Sequence, residues 1–122
     1  MGFNRLLNIM DTLLGENGCP WDRAQTIDSI RPYLLEECGE AVEAIDNSDM
    51  ESLSEEIGDV LLQVVFISKL AERAGSFNMD DVLNGLCEKL IRRHSHVFGE
   101  DRAISPEDAL RLWNENKMRE KL

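Results

Sequence analysis

Apolar residues recur every three or four positions along most of the chain, which is the spacing of one face of an α-helix. The first such segment covers residues 3–14 and ends at Gly15, a residue type that often follows the last turn of a helix. Further helices are predicted at about 32–46, at 50–74, from Asn78 to Arg93, and from Ser105 onward. Because no segment shows the apolar–polar alternation of a strand, the pattern predicts an all-α bundle of about four to five helices.

Several apolar stripes are predicted to be buried. They comprise Leu34, Leu35, Cys38, Ala41, Val42 and Ile45 in the second segment, and Val82, Leu83, Leu86, Cys87, Leu90 and Ile91 in the fourth. Residues 60–67 differ, because Gln63 is their sole polar side chain. A helix that is apolar nearly all round must be covered on several sides, so this stretch predicts a helix–helix dimer interface.

Two acidic clusters lie in the predicted helices 32–46 and 50–74. Residues three or four apart share a helix face, and a turn at Asn47-Ser48-Asp49 would fold the two helices into an antiparallel pair. The side chains brought together would be those of Glu37, Glu40, Glu56 and Asp59. Like charges at that range raise one another's pKa unless a cation lies among them. Each cluster taken alone is more typical of a solvated acidic face than of a metal site, but the two clusters together favour a metal site.

The chemistry of the four acids indicates which metal. None of them is a histidine or a thiolate, and carboxylate oxygens suit Mg²⁺ or Mn²⁺ better than zinc. Such an ion commonly completes its shell with water and substrate phosphates. Lys89, Arg92 and Arg93 could grip those phosphates, because their spacing places them on one helix face. The alternative is a basic last turn that complements the helix dipole.

Composition limits the class of protein. The chain has 122 residues, enough for the single domain 1–122 that we predict, and its net charge is −11. That charge argues against nucleic acid or an anionic membrane as a partner. Three cysteines without pairing or zinc spacing suit a reducing cytoplasm, with Cys38 and Cys87 as small core residues. We expect no membrane span and no signal peptide.

Five motifs occur in order along the chain: Cys19-Pro20-Trp21-Asp22, Leu35-Glu36-Glu37-x-x-Glu40, Glu56-x-Gly58-Asp59, Lys89-Leu90-Ile91-Arg92-Arg93-His94-Ser95-His96-Val97-Phe98 and Trp113-x-x-x-Lys117. Together they resemble the MazG-like nucleoside triphosphate pyrophosphohydrolases. The resemblance covers nearly the whole chain. It implies an all-α bundle, dimeric or higher, that needs Mg²⁺ and cleaves a nucleoside triphosphate between its α- and β-phosphates. The products would be the monophosphate and pyrophosphate.

The resemblance also implies roles for single residues. Glu37, Glu40, Glu56 and Asp59 correspond to metal ligands, Lys89, Arg92 and Arg93 to triphosphate contacts, and Trp113 to a base-stacking residue, with Lys117 one turn on. Glu36 is our candidate for activating the attacking water, and Glu55 is expected to face solvent. Stacking accepts any base, so weak base selectivity is expected. Ser95 stands where the family usually has proline, and the chain carries one copy of a module that some members carry twice.

Two alternatives differ in class. One is a relative on the same bundle that hydrolyses one particular substrate, such as a deoxynucleotide or phosphoribosyl-ATP. The other is a non-catalytic module that binds partners through the apolar 60–67 face. Four clustered acids count against the second alternative, because a scaffold has no use for buried charge. Trp21, beside Pro20, is interpreted either as a plug on the bundle or as part of a ligand wall.

Overall fold

The computed structural model of the chain describes residues 2–121, in which seven helices and no strand occur. The helices are α1 (Gly2–Leu14), α2 (Pro20–Arg23), α3 (Ile27–Asp46), α4 (Met50–Arg73), α5 (Met79–Arg93), α6 (Ser95–Phe98) and α7 (Pro106–Glu120). The predicted all-α class is confirmed, since five of these helices are long and match the five predicted segments. The single turns α2 and α6 were not predicted, because four residues are too few to show a period. No helix of the described chain is long and apolar enough to cross a membrane.

The chain divides into two compact units, Met1–Met79 and Asp80–Leu122, which are described separately. The first unit contains α1 to α4, and the second contains nearly all of α5 together with α6 and α7. The expectation of one domain over residues 1–122 stays a prediction.

Helix α3 begins at Ile27, five residues before the predicted start near residue 32, which was wrong. Thr26 and Ser29 form a reciprocal cap: Ser29 N donates to Thr26 Oγ1 at 3.1 Å, and Thr26 N donates to Ser29 Oγ at 2.8 Å. This cap satisfies N–H groups that a helix start leaves without partners. Pro32 is the sixth residue of the helix and lies within it.

The turn between α3 and α4 lies where it was predicted. Ser48 adopts a φ of 53°, in the left-handed region that tight turns use. The next residue, Asp49, caps α4, with its carboxylate accepting from Ser52 N at 3.1 Å. Helices α3 and α4 then pack together, and this is the most extensive helix contact among the described residues.

The core of the first unit uses a different face of α3 from the one that was predicted. Ile30, Ala41 and Ala44 are buried, as are Val65 and Phe66 of α4. The predicted stripe is wrong for most of its members, because the face opposite α4 carries the exposed side chains Leu35, Cys38, Val42 and Ile45. The apolar arc of α3 is wider than one neighbouring helix covers.

The second unit buries few side chains. Among the described residues after Met79, those of Leu112 and Asn116 are buried. The predicted burial of the α5 stripe is wrong within the chain, since Leu83, Leu86, Cys87, Leu90 and Ile91 are exposed and Val82 is half-buried. Cys38 and Cys87 are thus not core residues.

Candidate metal and phosphate sites

The α3–α4 pair brings the four predicted acidic ligands into one cluster. One carboxylate oxygen each from Glu37, Glu56 and Asp59 lie within 4.8 Å of one another. Glu40 lies outside this trio, but its side chain is close enough to those of Glu37 and Glu56 to raise the pKa of both. Helical spacing within each helix and the turn between the helices together account for this convergence.

The cluster is short of positive charge. The Oε2 atoms of Glu37 and Glu56 are buried and have no hydrogen-bond partner among the described residues. The side chain of Glu40, partial desolvation and the charges of Glu40, Asp59 and Glu37 raise the pKa of Glu56 to about 7. Desolvation and the charges of Glu40, Asp59 and Glu36 also raise the pKa of Glu37. Each shift measures how unfavourable a further negative charge is at this place.

These observations fit a divalent cation. Two oxygens on opposite sides of one Mg²⁺ lie about 4.2 Å apart, and the 4.8 Å limit on the trio is only slightly wider. The donors are all carboxylate oxygens, which Mg²⁺ and Mn²⁺ prefer. Buried oxygens without partners are unusual in folded proteins, and a bound cation would supply the missing partner.

The glutamates next to the cluster in sequence, Glu36 and Glu55, are both exposed. Glu55 is exposed, as was predicted. Glu36 is exposed as well, next to Glu37 in sequence, and its charge contributes to the raised pKa of Glu37. Glu36 is therefore electrostatically part of the cluster without being one of the trio.

The second unit gathers two of the predicted phosphate-binding residues around an acid that was not predicted. Arg92 Nε donates to Glu120 Oε1 at 2.9 Å, and Arg93 donates to Glu120 Oε2 from Nη2 at 2.9 Å and from Nε at 3.3 Å. The hydrogen bonds from Arg93 and then Arg92 lower the pKa of Glu120 to about 2. No local pattern pointed to Glu120, because it lies on α7, 27 and 28 residues away from the two arginines.

Trp113 lies beside Arg93 and His94. The guanidinium carbon of Arg93 is 5.0 Å from the centre of its ring, and the ring of His94 meets it edge-on at 5.4 Å. One face of the indole therefore already holds a cation. Lys89 and Lys117 make no ion pair among the described residues.

Ser95, where the family usually has proline, has a structural role. Asn116 Nδ2 donates to Ser95 Oγ at 2.8 Å, which joins α6 to α7. A proline could not accept this bond. Asn116 is one of the two buried side chains of the unit, so the hydrogen bond satisfies a polar group that is costly to leave unpaired.

Comparisons with known proteins agree with the sequence motifs. The family model of the MazG nucleotide pyrophosphohydrolase domain matches residues 25–98. The nucleoside triphosphate pyrophosphohydrolase/pyrophosphatase MazG of Thermotoga maritima is 49% identical over 119 residues, covering 98% of this chain and 45% of the relative. The nucleoside triphosphate pyrophosphohydrolase of Escherichia coli K12 is 43% identical over 119 residues, covering 97% of this chain and 45% of that protein.

A solved structure agrees as well. The crystal structure of a mazG-related protein from Thermotoga maritima superposes with a TM-score of 0.79 at 31% identity, covering 94% of this chain and 98% of the other. The chain belongs to the MazG nucleotide pyrophosphohydrolase domain family. It spans about half the length of the curated relatives it matches. The matched range includes the acidic cluster and Lys89 to Arg93, whereas Trp113, Lys117 and Glu120 lie beyond it.

Proposed function

We propose that this chain hydrolyses nucleoside triphosphates between the α- and β-phosphates, giving the monophosphate and pyrophosphate. The observation that carries the proposal is that the buried Oε2 atoms of Glu37 and Glu56, within the acidic cluster, have no hydrogen-bond partner among the described residues. The chain belongs to a family whose relatives include nucleoside triphosphate pyrophosphohydrolases. A polyanionic substrate needs a cation at such a cluster, and a triphosphate is the substrate class that the family implies.

The proposed cofactor is Mg²⁺, with Mn²⁺ as a chemically similar substitute. Glu37, Glu56 and Asp59 would hold it with oxygens that already converge, and Glu40, whose charge acts on Glu37 and Glu56, is proposed as the fourth ligand. When bound, the ion would neutralise phosphate charge and increase the electrophilicity of phosphorus. The raised pKa values of Glu37 and Glu56 would then return toward the ordinary range, because the cation favours the ionised carboxylates.

The protein's own residues would share the remaining chemistry. Glu36 is proposed to accept the proton of the attacking water, since its exposed carboxylate lies next to the cluster in sequence. Arg92 and Arg93 are proposed to donate hydrogen bonds to the departing pyrophosphate, which carries the growing negative charge. Lys89 and Lys117 would add positive charge to the same ligand.

Arg92 and Arg93 bind a carboxylate in this structure, and the geometry of that contact supports the assignment. Arg93 donates two N–H groups to one carboxylate oxygen, Glu120 Oε2, and charged hydrogen bonds of this kind are also made to phosphate oxygens. Trp113 holds Arg93 against its ring, and its other face is proposed to stack on the base. Stacking alone favours broad base tolerance, which suits removal of unwanted nucleotides from a cytoplasmic pool.

The exposed apolar faces support a homodimer or higher oligomer. Val65 and Phe66 are buried within the chain, whereas Ile57, Leu61 and Val64 of the same helix are exposed. A glutamate in place of Val64 would put an unpaired charge into the proposed interface. Val64→Glu should therefore lower the sedimentation coefficient to that of a monomer, while Glu72→Gln on the same helix should not. A wild-type chain that sediments as a monomer at micromolar concentration would refute the dimer.

The proposed reaction can be tested with the purified chain. A panel of ribo- and deoxynucleoside triphosphates is incubated with Mg²⁺ or with EDTA, and pyrophosphate, phosphate and nucleotide products are separated. We expect pyrophosphate and monophosphate in equal amounts, and neither in EDTA. Release of phosphate with the diphosphate would show cleavage at the other anhydride bond and would reject the proposal.

A further inference from the structure

Glu120, the last residue of α7, joins two arginines that are neighbours on α5. Its Oε1 accepts from Arg92 Nε at 2.9 Å, and its Oε2 accepts from Nε and Nη2 of Arg93 at 3.3 and 2.9 Å. Consecutive residues of a helix point about 100° apart around its axis and do not face each other. The carboxylate therefore brings together two guanidinium groups that α5 alone would direct apart.

The contact between Glu120 and the arginines is charged and partly sheltered from water. The side chain of Arg93 is 14% exposed and that of Glu120 is 23% exposed, whereas that of Arg92 is 52% exposed. Because hydrogen bonds from Arg93 and then Arg92 lower the pKa of Glu120 to about 2, the carboxylate is ionised at neutral pH. The guanidinium carbon of Arg93 also lies 5.0 Å from the centre of the Trp113 ring. Two groups of α7, a carboxylate and an aromatic ring, thus hold Arg93 in place.

Most N–H groups of the two arginines take no part in the contact with Glu120. A guanidinium has five N–H groups, and Glu120 accepts one from Arg92 and two from Arg93. Two cations share one anion, so the group keeps a net positive charge. A polyanion can therefore bind the outer N–H groups while Glu120 keeps its place. Displacing Glu120 would instead leave a partly buried carboxylate without its partners, which is costly.

We propose that Glu120 is a positioning residue for phosphate binding, which holds Arg92 and Arg93 side by side and leaves their outer N–H groups to the phosphate chain of the substrate. The inference rests on the proposed triphosphate hydrolysis, and it adds a residue that acts through the two arginines without touching the substrate. The opposite role is that of a competitor, in which the carboxylate takes the place of a phosphate and weakens binding. The two roles predict opposite effects of removing the charge of Glu120.

Glu120→Gln is the main variant, because it nearly keeps the size of the side chain and removes its charge. An amide has one acceptor oxygen, and its NH₂ group can only donate, so it cannot hold one arginine on each oxygen as the carboxylate does. Glu120→Asp keeps the charge on a side chain that is shorter by a methylene group, and it should restore part of the function. Glu115→Gln is the matched control, since it removes a carboxylate of α7 that pairs with Arg111 at 3.0 Å.

The first experiment measures phosphate binding without turnover. Inorganic tripolyphosphate, which has no base, is titrated into the ¹⁵N-labelled chain in metal-free buffer, and Kd is obtained from the NMR shifts of the Arg92 and Arg93 Nε–H signals. We expect about tenfold weaker binding in Glu120→Gln, partial recovery in Glu120→Asp, and wild-type binding in Glu115→Gln. Tighter binding in Glu120→Gln would show a competitor and overturn the proposal. Unchanged binding in that variant, even with a lower Tm, would overturn it too, as would a wild type that binds no tripolyphosphate at these arginines.

The second experiment asks whether Glu120 acts through the arginines. Glu120→Gln should lower kcat/KM by a similar factor for every nucleoside triphosphate, about tenfold. In a chain that already carries Arg92→Ala and Arg93→Ala, the same change should have no further effect, because the groups that Glu120 positions are gone. A loss by the same factor in both backgrounds would show that Glu120 acts elsewhere and would reject the inference.

The outcomes separate this inference from the proposed function. If the wild type releases no pyrophosphate from any triphosphate, the proposed function fails, and the tripolyphosphate titration still decides whether Glu120 arranges the arginines for phosphate. If Glu120→Gln does not fold, Glu120→Asp decides in the same titration. A Glu120→Asp chain that binds tripolyphosphate at least as tightly as the wild type would then reject the positioning role, and weaker binding would support it.

Discussion

The two units of the molecule contain charge clusters of opposite sign, and only one of them is balanced within the chain. In the first unit, Glu37 and Glu56 each bury an oxygen that has no hydrogen-bond partner in the described part of the chain, and their pKa values are raised. In the second unit, Arg92 and Arg93 share Glu120, whose pKa falls to about 2. The acidic cluster therefore needs an ion from outside, whereas the basic cluster already holds an anion.

This difference indicates how each cluster would meet a substrate. A cation would offset the negative charge of the acidic cluster and stabilise the folded state. A phosphate at the basic cluster would instead compete with Glu120 or share the arginines with it. Removing a single carboxylate of the acidic cluster should accordingly reduce turnover more than removing a single arginine of the basic cluster.

The largest effect is expected from Asp59→Asn. The variant loses one of the three converging oxygens, and loss of a metal ligand should cost at least the about 10–100-fold that is seen when residues supporting such ligands are removed. We expect turnover to be undetectable and the Mg²⁺-induced rise in Tm to vanish, while the helical circular dichroism stays unchanged.

Glu55→Gln is the matched control for Asp59→Asn, because it removes an exposed negative charge from the same helix. It should retain turnover and the Mg²⁺-induced rise in Tm. Normal activity in Asp59→Asn would exclude the acidic cluster from the mechanism.

A smaller and uniform effect is expected from Arg93→Ala. A fixed charge acts on every triphosphate alike, so kcat/KM should fall by a similar factor for all bases. Charged hydrogen bonds of about 1.5–3 kcal/mol correspond to about 10–150-fold. Arg111→Ala is the control, since Arg111 pairs with Glu115 at 3.0 Å on the exposed surface of α7. A loss that varies strongly with the base would contradict a pure phosphate contact.

Much of this arrangement could be predicted from local pattern. The helical period and the capping residues correctly predicted α1, α4 and α7. The turn at Ser48 and the spacing within each helix predicted that the four acids lie close together. Glu120 could not be predicted, because its partners are distant in sequence and a lone glutamate near the end of a helix is usually solvated. The exposed α3 stripe was misassigned because periodicity shows that a face is apolar but does not show which element covers it.

The difference between the two clusters can be tested by measuring how the free energy of unfolding of the metal-free protein depends on pH. The folded-state pKa of Glu56, about 7, exceeds its ordinary value of 4.5, so the folded protein binds more protons than the unfolded one between these values. Its free energy of unfolding should therefore fall as the pH rises from about 4.5 to 7. Glu120 behaves oppositely: its lowered pKa stabilises the fold above pH 4.5, and that contribution is lost as the pH falls toward 2.

Urea denaturation between pH 5.5 and 8 separates the acidic cluster from Glu120, since Glu120 stays ionised in both states over that range. We expect stability to decline with pH in EDTA and to be nearly flat in excess Mg²⁺. Glu56→Gln should reduce the decline in EDTA. An equally steep decline in that variant would assign the effect to other groups.

The smallest effect, and the one that depends on the base, is expected from Trp113→Ala. A lost stacking contact costs about 1–3 kcal/mol, and purines present a larger face than pyrimidines, so KM should rise more for purine triphosphates. Trp113→Phe should preserve part of this contact and of the support for Arg93, whose guanidinium carbon lies 5.0 Å from the centre of the indole ring.

The measurement is kcat and KM for four bases in both variants. If every base loses the same factor in Trp113→Ala, and Arg93→Ala produces that factor too, the ring acts by holding Arg93 and not by stacking. If the Tm falls while the kinetics of the folded fraction stay unchanged, Trp113 has no contact with the substrate, and its assignment to the base must be withdrawn.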